Sequence, residues 1–142
     1  MLALAAAGLI VAGYLTMLQL GALASAWDPV FGQRSTREVL ELTRPVPDAL
    51  AGVLAYGTEV VLLLARRGRL LLGLVLTAGG LASIALITIQ PAVVGAWCAL
   101  CLGSAALSLV LLALGHNEAT GALKALRRPK HGLRTLLAHL TD

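Results

Sequence analysis

Residues 70–117 contain no Asp, Glu, Lys or Arg. An α-helix rises about 1.5 Å per residue and a bilayer's hydrocarbon core is about 30 Å thick, so one crossing takes about 20 residues. The uncharged stretch has length for two crossings. Pro91, directly after Gln90, divides it, because proline has no N–H to continue a helix. The pattern predicts spans at about residues 70–89 and 92–114. Gly79, Gly80, Ala82 and Ser83 supply small residues where helices can approach closely. Residues 1–27 are also free of charge and predict a span at about 2–23. Ala24-Ser25-Ala26 has the look of a signal-peptide cleavage site. No Lys or Arg precedes it, however, and the apolar run exceeds a usual signal core, so a retained helix is expected. A span at about 49–65 follows Asp48 as N-cap. The expected fold is an all-α integral membrane four-helix bundle with an extramembrane loop between helices 1 and 2. It forms a single membrane domain over residues 1–142.

Composition agrees. Of 142 residues, 58% are hydrophobic and 13% charged, against about a quarter charged in a soluble domain. A soluble enzyme and a disordered chain are both excluded. The net charge of +4 is spread over short basic clusters between apolar runs, which suits topology rather than nucleic-acid binding. Membrane lipid is the expected surrounding and nucleic acid is not an expected partner. Arg66, Arg67 and Arg69 and the basic tail 118–142 point to the cytoplasm, with both termini there. The 27–47 loop and the Gln90-Pro91 turn then face the opposite compartment, although Arg34, Arg37 and Arg44 equal the inner turn in number. Within the loop, Ser35 and Glu38 have capping-box spacing for a short helix with Leu40, Leu42 and Val46 on its apolar side. Pro45 and Pro47 end it.

The chain has two Cys, in Trp97-Cys98-Ala99-Leu100-Cys101. This spacing puts both sulfurs near one helix face, where a thiolate can cycle the pair between dithiol and disulfide. A nearby helix N-terminus favours the thiolate. Two other readings stay open. The pair is half of a zinc site, but a second ligand pair is missing, with His116 at the far end of the span and His131 and His139 beyond, so no metal is expected. Alternatively, both Cys are small buried hydrophobes. Glu59, near the middle of its span, is costly unless it faces the bundle interior, pairs or stays protonated. Tyr56 and Thr58 suit interhelix hydrogen bonds or ligand contacts. Gln90 suits a helix cap or a ligand donor. Trp97 suits an interface anchor or a shield for the disulfide. Trp27, Val30 and Phe31 suit an apolar lid.

Gly95-Ala96-Trp97-Cys98-Ala99-Leu100-Cys101-Leu102 resembles the active-site helix of the vitamin K epoxide reductase family. Gln90-Pro91-Ala92-Val93-Val94, Trp27-Asp28-Pro29-Val30-Phe31-Gly32 and Pro45-Val46-Pro47-Asp48-Ala49-Leu50 are also similar to that family. The resemblance spans about residues 5–115. It implies a four-helix bundle around a quinone, ubiquinone or menaquinone, in the cell inner (plasma) membrane. It implies a bacterial-type thiol oxidoreductase that reduces the quinone with Cys98 and Cys101. Cys101 would face the quinone, and Cys98, nearer the surface, would exchange with a thioredoxin-like protein on the outer side. Glu59, Gln90, Tyr56 and Trp97 would contact the quinone. The family's second Cys pair, in the loop, is absent here. Thr36, ahead of Arg37-Glu38-Val39-Leu40, stands by local similarity where the second loop cysteine would be. A fused thioredoxin-like domain is not expected. Either a partner thiol then reaches Cys98 directly, or the chain is a degenerate relative with a structural or assembly role. A transporter or channel subunit is a third class, supported by Glu59 alone.

Overall fold

A computed structural model describes residues 1–25, 27–42 and 48–126. Six α-helices lie in them: α1 Leu2–Gln19, α2 Gly32–Leu42, α3 Asp48–Ala65, α4 Arg69–Ile89, α5 Ala99–Leu114 and α6 His116–Leu126. A π-helical turn, Gln90–Val94, continues α4. Ala26, Arg44, Pro45, Val46, Pro47, His131, His139 and the basic residues after Leu126 fall outside the described residues.

Leu, Ala and Val dominate α1, α3 and α4 all the way round, the pattern of helices that meet lipid or other helices on every side. Leu2–Gln19, Asp48–Ala65 and Arg69–Val94 are each long and apolar enough to cross a bilayer. A fourth crossing would need α5 together with α6, which bend by 74° where they join. The chain is an all-α, multi-pass membrane protein.

The simple four-helix bundle expected from sequence is corrected at three points. The first helix stops at Gln19 rather than residue 23, because Gly21 turns the chain with a φ of +76°. The loop contains a full helix, α2, which starts at Gly32 and not at a Ser35 cap. Its buried face carries Thr36, Val39 and Leu40, while Arg34, Arg37, Glu38 and Glu41 are exposed. The last long helix begins at Ala99 rather than 92. Pro91 cannot donate, so the ladder widens into the π-helical turn, closed by the Gly95 N–H on Gln90 O at 3.0 Å.

Helix α1 lies along α3 and touches α5; α4 packs on α3, α5 and α6. One core joins Ala5, Ala12, Tyr56, Leu72, Leu76 and Leu111. A second, at the Ile89 end of α4, joins Leu15, Val39, Leu40, Ala96, Cys98 and Cys101. At the opposite end of α4, Arg69 pairs with Glu118 of α6 at 2.8 Å. The arginine turn, α6 and Met1 therefore share one end of the molecule, and both cysteines lie toward the other.

Gly73 permits the close approach of α4 and α6. A Cβ there would overlap the Glu118 carbonyl, which is backbone and cannot swing aside. Gly73→Ala should destabilise the protein by about 1–3 kcal/mol, read as a lower thermal midpoint in detergent. Gly121→Ala on α6, where a Cβ meets open space, should leave the midpoint unchanged or raise it slightly. Equal midpoints for the two variants would show that α6 does not depend on this contact.

Candidate functional site

The π-helical turn and the left-handed Gly95 (φ +67°) carry residues 95–98 across one end of the bundle before α5 begins. Cys98 is the N-cap of α5, with extended φ and ψ of −122° and 113°. Its sulfur accepts the Cys101 N–H at 3.2 Å. A sulfur there takes the place of a capping oxygen and faces free N–H groups at the positive end of the helix. Both thiols are free and buried, Cys98 at 0% and Cys101 at 5% exposure. α2 lies over Cys98, with Val39 and Leu40 packed in the same cluster.

Four side chains bind α2 and its approach to this end. Ser35 Oγ donates to Trp97 O at 2.6 Å and accepts the Trp97 N–H at 3.0 Å. Thr36, fully buried, donates from Oγ1 to Asp28 Oδ2 at 2.7 Å. Asp28 Oδ2 also accepts the Ala99 N–H at 2.9 Å, and its Oδ1 accepts those of Val30 and Phe31, each at 2.9 Å. The Arg37 guanidinium reaches Ala24 O at 2.6 Å. Beside this seal, a cleft of about 200 Å³ runs between the end of α1 and α2, with Leu18, Gln19, Arg37 and Leu40 in its wall. Leu18 and Leu40 also pack against the cysteine cluster.

Burial works against a charged Asp28, but the Thr36 hydroxyl and the N–H groups of Phe31, Val30 and Ala99 outweigh it. Its carboxyl is held down at about 2, against an ordinary 3.8. A depressed folded value stabilises the protein above the unfolded value and loses that contribution as pH falls through the folded one. Asp28 should therefore contribute about 2 kcal/mol at neutral pH, lost between about pH 4 and pH 2. Tryptophan fluorescence should follow the loosening, since Trp97 is bonded to α2 through Ser35. Asp28→Asn should give a flat profile across that window, and a wild-type profile in this variant would refute the assignment.

At Cys98, which precedes the α5 span, the Cys101 thiol donates a hydrogen bond that favours the thiolate. The Cys101 N–H acts the same way, and so does the nearby Thr36 hydroxyl when its proton turns from Asp28 to the sulfur. Together they hold Cys98 below the ordinary thiol range, against burial and the Asp28 charge. Thr36 therefore stands against the sulfur of Cys98.

Gln90, 1% exposed, belongs to this cluster: its Oε1 accepts the Cys98 N–H at 3.2 Å. Its Nε2 is buried and has no hydrogen-bond partner among the described residues. Trp97 is half-buried and stacks on Phe31 with ring centroids 6.4 Å apart. Trp27 and Val30 are 67% and 68% exposed, so of the three apolar residues suggested as a lid only Phe31 closes on Trp97. Tyr56 lies in the other core, where its hydroxyl donates to Ser104 O at 2.6 Å and is 2.7 Å from Ser108 Oγ. Glu59 is buried one turn farther along α3, with Oε2 unpartnered among the described residues. Thr58 is turned back onto Leu54 O at 2.7 Å. Among the described residues no three His, Cys, Asp or Glu side chains converge as metal ligands.

Asp28 is a site residue that sequence reasoning misses. Its local signal is an acidic side chain two and three residues before N–H groups it can cap, ahead of a glycine. The bond to Ala99 leaves no such signal.

A sequence model described as the vitamin K epoxide reductase family matches residues 1–115. No curated protein and no solved structure matches the chain.

Proposed function

The chain belongs to the vitamin K epoxide reductase family and carries the Cys-x-x-Cys pair of a thiol oxidoreductase, and on that premise we propose that it oxidises a dithiol partner and passes the electrons to a quinone. The observation that carries this reading is the site itself. Two free thiols, one capping a helix, sit beside the buried and unpartnered Gln90 Nε2. The Cys98 N–H can only donate, so the Gln90 oxygen must face it and the NH₂ group is left as a donor for a carbonyl oxygen.

When bound, a quinone accepts two electrons and two protons and leaves as the quinol. Cys98 and Cys101 supply both electrons as they close their disulfide; the Cys101 thiol gives one proton, and with Cys98 as a thiolate the second comes from solvent. Restoring the dithiol takes two exchanges. A partner thiolate attacks Cys98 Sγ and expels Cys101 as a thiolate, which takes up a proton. The partner's second thiolate then attacks the partner sulfur bound to Cys98. Cys98 leaves as the thiolate its N-cap position favours, and the partner departs as a disulfide. Cys101, inside the α5 span, is the residue we assign to the quinone side. Cys98 is assigned to the partner side, which requires α2 to move off it. Gln90 and Trp97 are the proposed contacts for the quinone ring. Tyr56 and Glu59 would form a polar layer farther along the bundle.

The same reading treats residues 1–142 as a single membrane domain of four crossings, with α5 and α6 together as the fourth. It would sit in the cell inner membrane with both termini cytoplasmic. A thioredoxin-like partner would act from the outer side, where α2 lies. The basic 66–69 turn beside α6, at the end opposite the cysteines, supports this orientation.

The test is a thiol count on the purified chain in detergent. Adding ubiquinone or menaquinone should remove both free thiols, and a reduced thioredoxin-like protein should restore them. If both thiols stay reduced with quinone present, the coupling is wrong and a structural or assembly role replaces it.

A further inference from the structure

The geometry points to Asp28 as the positioning residue of the redox pair: through Thr36 and the Ala99 N–H it fixes Cys98 at the N-cap of α5, where its sulfur turns to Cys101. One carboxylate accepts four hydrogen bonds, from Val30 N, Phe31 N, Thr36 Oγ1 and Ala99 N. Those donors belong to the loop, to α2 and to the first residue of α5. Asp28 is thus the point where three separate segments are registered against each other. Ala99 directly follows Cys98, so the bond to its N–H orients the peptide that carries the thiol. The effect is seen one turn on, where the Cys98 sulfur receives the Cys101 N–H.

The carboxylate also carries a charge that opposes a thiolate at Cys98. Position and charge therefore act in opposite directions, and this separates them experimentally. The other groups near the pair do not blur the result. From α5 the facing group is Cys101, and from the head of α3 it is Asp48, whose charge acts on Cys101. The face of α2 over the site carries Thr36, Val39 and Leu40, with its charged side chains exposed. The end of α1 and the Gln90–Val94 turn bring no charge.

The proposal rests on Cys98 and Cys101 being the reactive pair. Its test is the ultraviolet thiolate absorbance of the full chain in detergent as the dithiol, titrated with pH, with the disulfide form as blank. This needs neither quinone nor partner, so it can fail while the quinone coupling stands, and the reverse. In Asp28→Asn the amide oxygen can keep the Val30 and Phe31 bonds, but its NH₂ group meets the Ala99 N–H donor to donor. If positioning dominates, the first thiol ionisation should move up by about one unit, about a tenfold loss of thiolate below the midpoint. A downward move would mean that Asp28 acts only by charge. An unchanged midpoint would make it ordinary loop packing. Either result overturns the proposal. Should Asp28→Asn not fold, the near-isosteric Thr36→Val carries the same test, with an upward move expected and Thr36→Ser restoring the wild-type midpoint. An unchanged Thr36→Val midpoint overturns the proposal as well.

Discussion

Serine at Cys98 should abolish quinone-dependent dithiol oxidation, by about three orders of magnitude or more, while the bundle stays folded. The physical reason for the second half is the N-cap. Cys98 accepts the Cys101 N–H through its side chain, and serine is among the best residues for that task. The hydroxyl can inherit the cap, so the loss is chemical. Cys98→Ala would mix the two effects, adding the cost of an empty cap, about 1 kcal/mol. Cys101→Ser should be equally inactive, because a two-electron disulfide needs both sulfurs. The two variants should differ in what they trap. Cys101→Ser keeps the thiol we assign to the partner side and should form a mixed disulfide with an oxidised thioredoxin-like protein, whose disulfide the Cys98 thiolate attacks, releasing the partner's other sulfur as a thiolate. Cys98→Ser should not. Quinone absorbance gives the rate, and mass under non-reducing conditions gives the adduct. Trapping by Cys98→Ser alone would reverse the assigned roles.

Thr36→Cys in a Cys101→Ser background should produce, on mild oxidation, a disulfide between position 36 and Cys98. The Thr36 side chain is fully buried and stands against the Cys98 sulfur, and cysteine is close to threonine in size. The bond would fasten α2 over the site, and a partner dithiol should then reach Cys98 only by first reducing it. Peptide mapping under non-reducing conditions detects the link. Two thiols that stay free under conditions that oxidise a surface pair would mean that α2 does not hold position 36 where a sulfur can bond to Cys98. The same result would withdraw the sequence alignment of Thr36 with a loop cysteine.

The membrane character of the chain is legible in the sequence because it depends on local properties. A run without charge reports a crossing wherever it packs, and Pro91 breaks a helix whatever lies beside it. The form of the break is not legible. Missing one N–H donor permits a kink, a stop or a widened turn, and the chain takes the last, ending on the left-handed Gly95. The loop helix is partly legible. Its apolar positions are visible, but Ser35 has the spacing of a cap and instead bonds to Trp97. That bond joins residues 62 positions apart, and no local pattern encodes such a distance.

The candidate site divides in the same way. Cys98 and Cys101 announce themselves because their chemistry needs only spacing and a helix. Gln90 is, in sequence, one polar residue beside a proline; folding sets its amide oxygen on the Cys98 N–H. Tyr56 looks as suitable for a ligand as Gln90 does, yet packing gives its hydroxyl to Ser104 and Ser108. The sequence by itself determined an all-α membrane chain with one redox-capable cysteine pair, since hydropathy and i to i+3 spacing belong to the chain alone. Tertiary structure decided that α2 buries the pair and that Asp28 registers the loop, α2 and α5. Those outcomes rest on contacts across tens of residues, which form only when helices of matching shape come together.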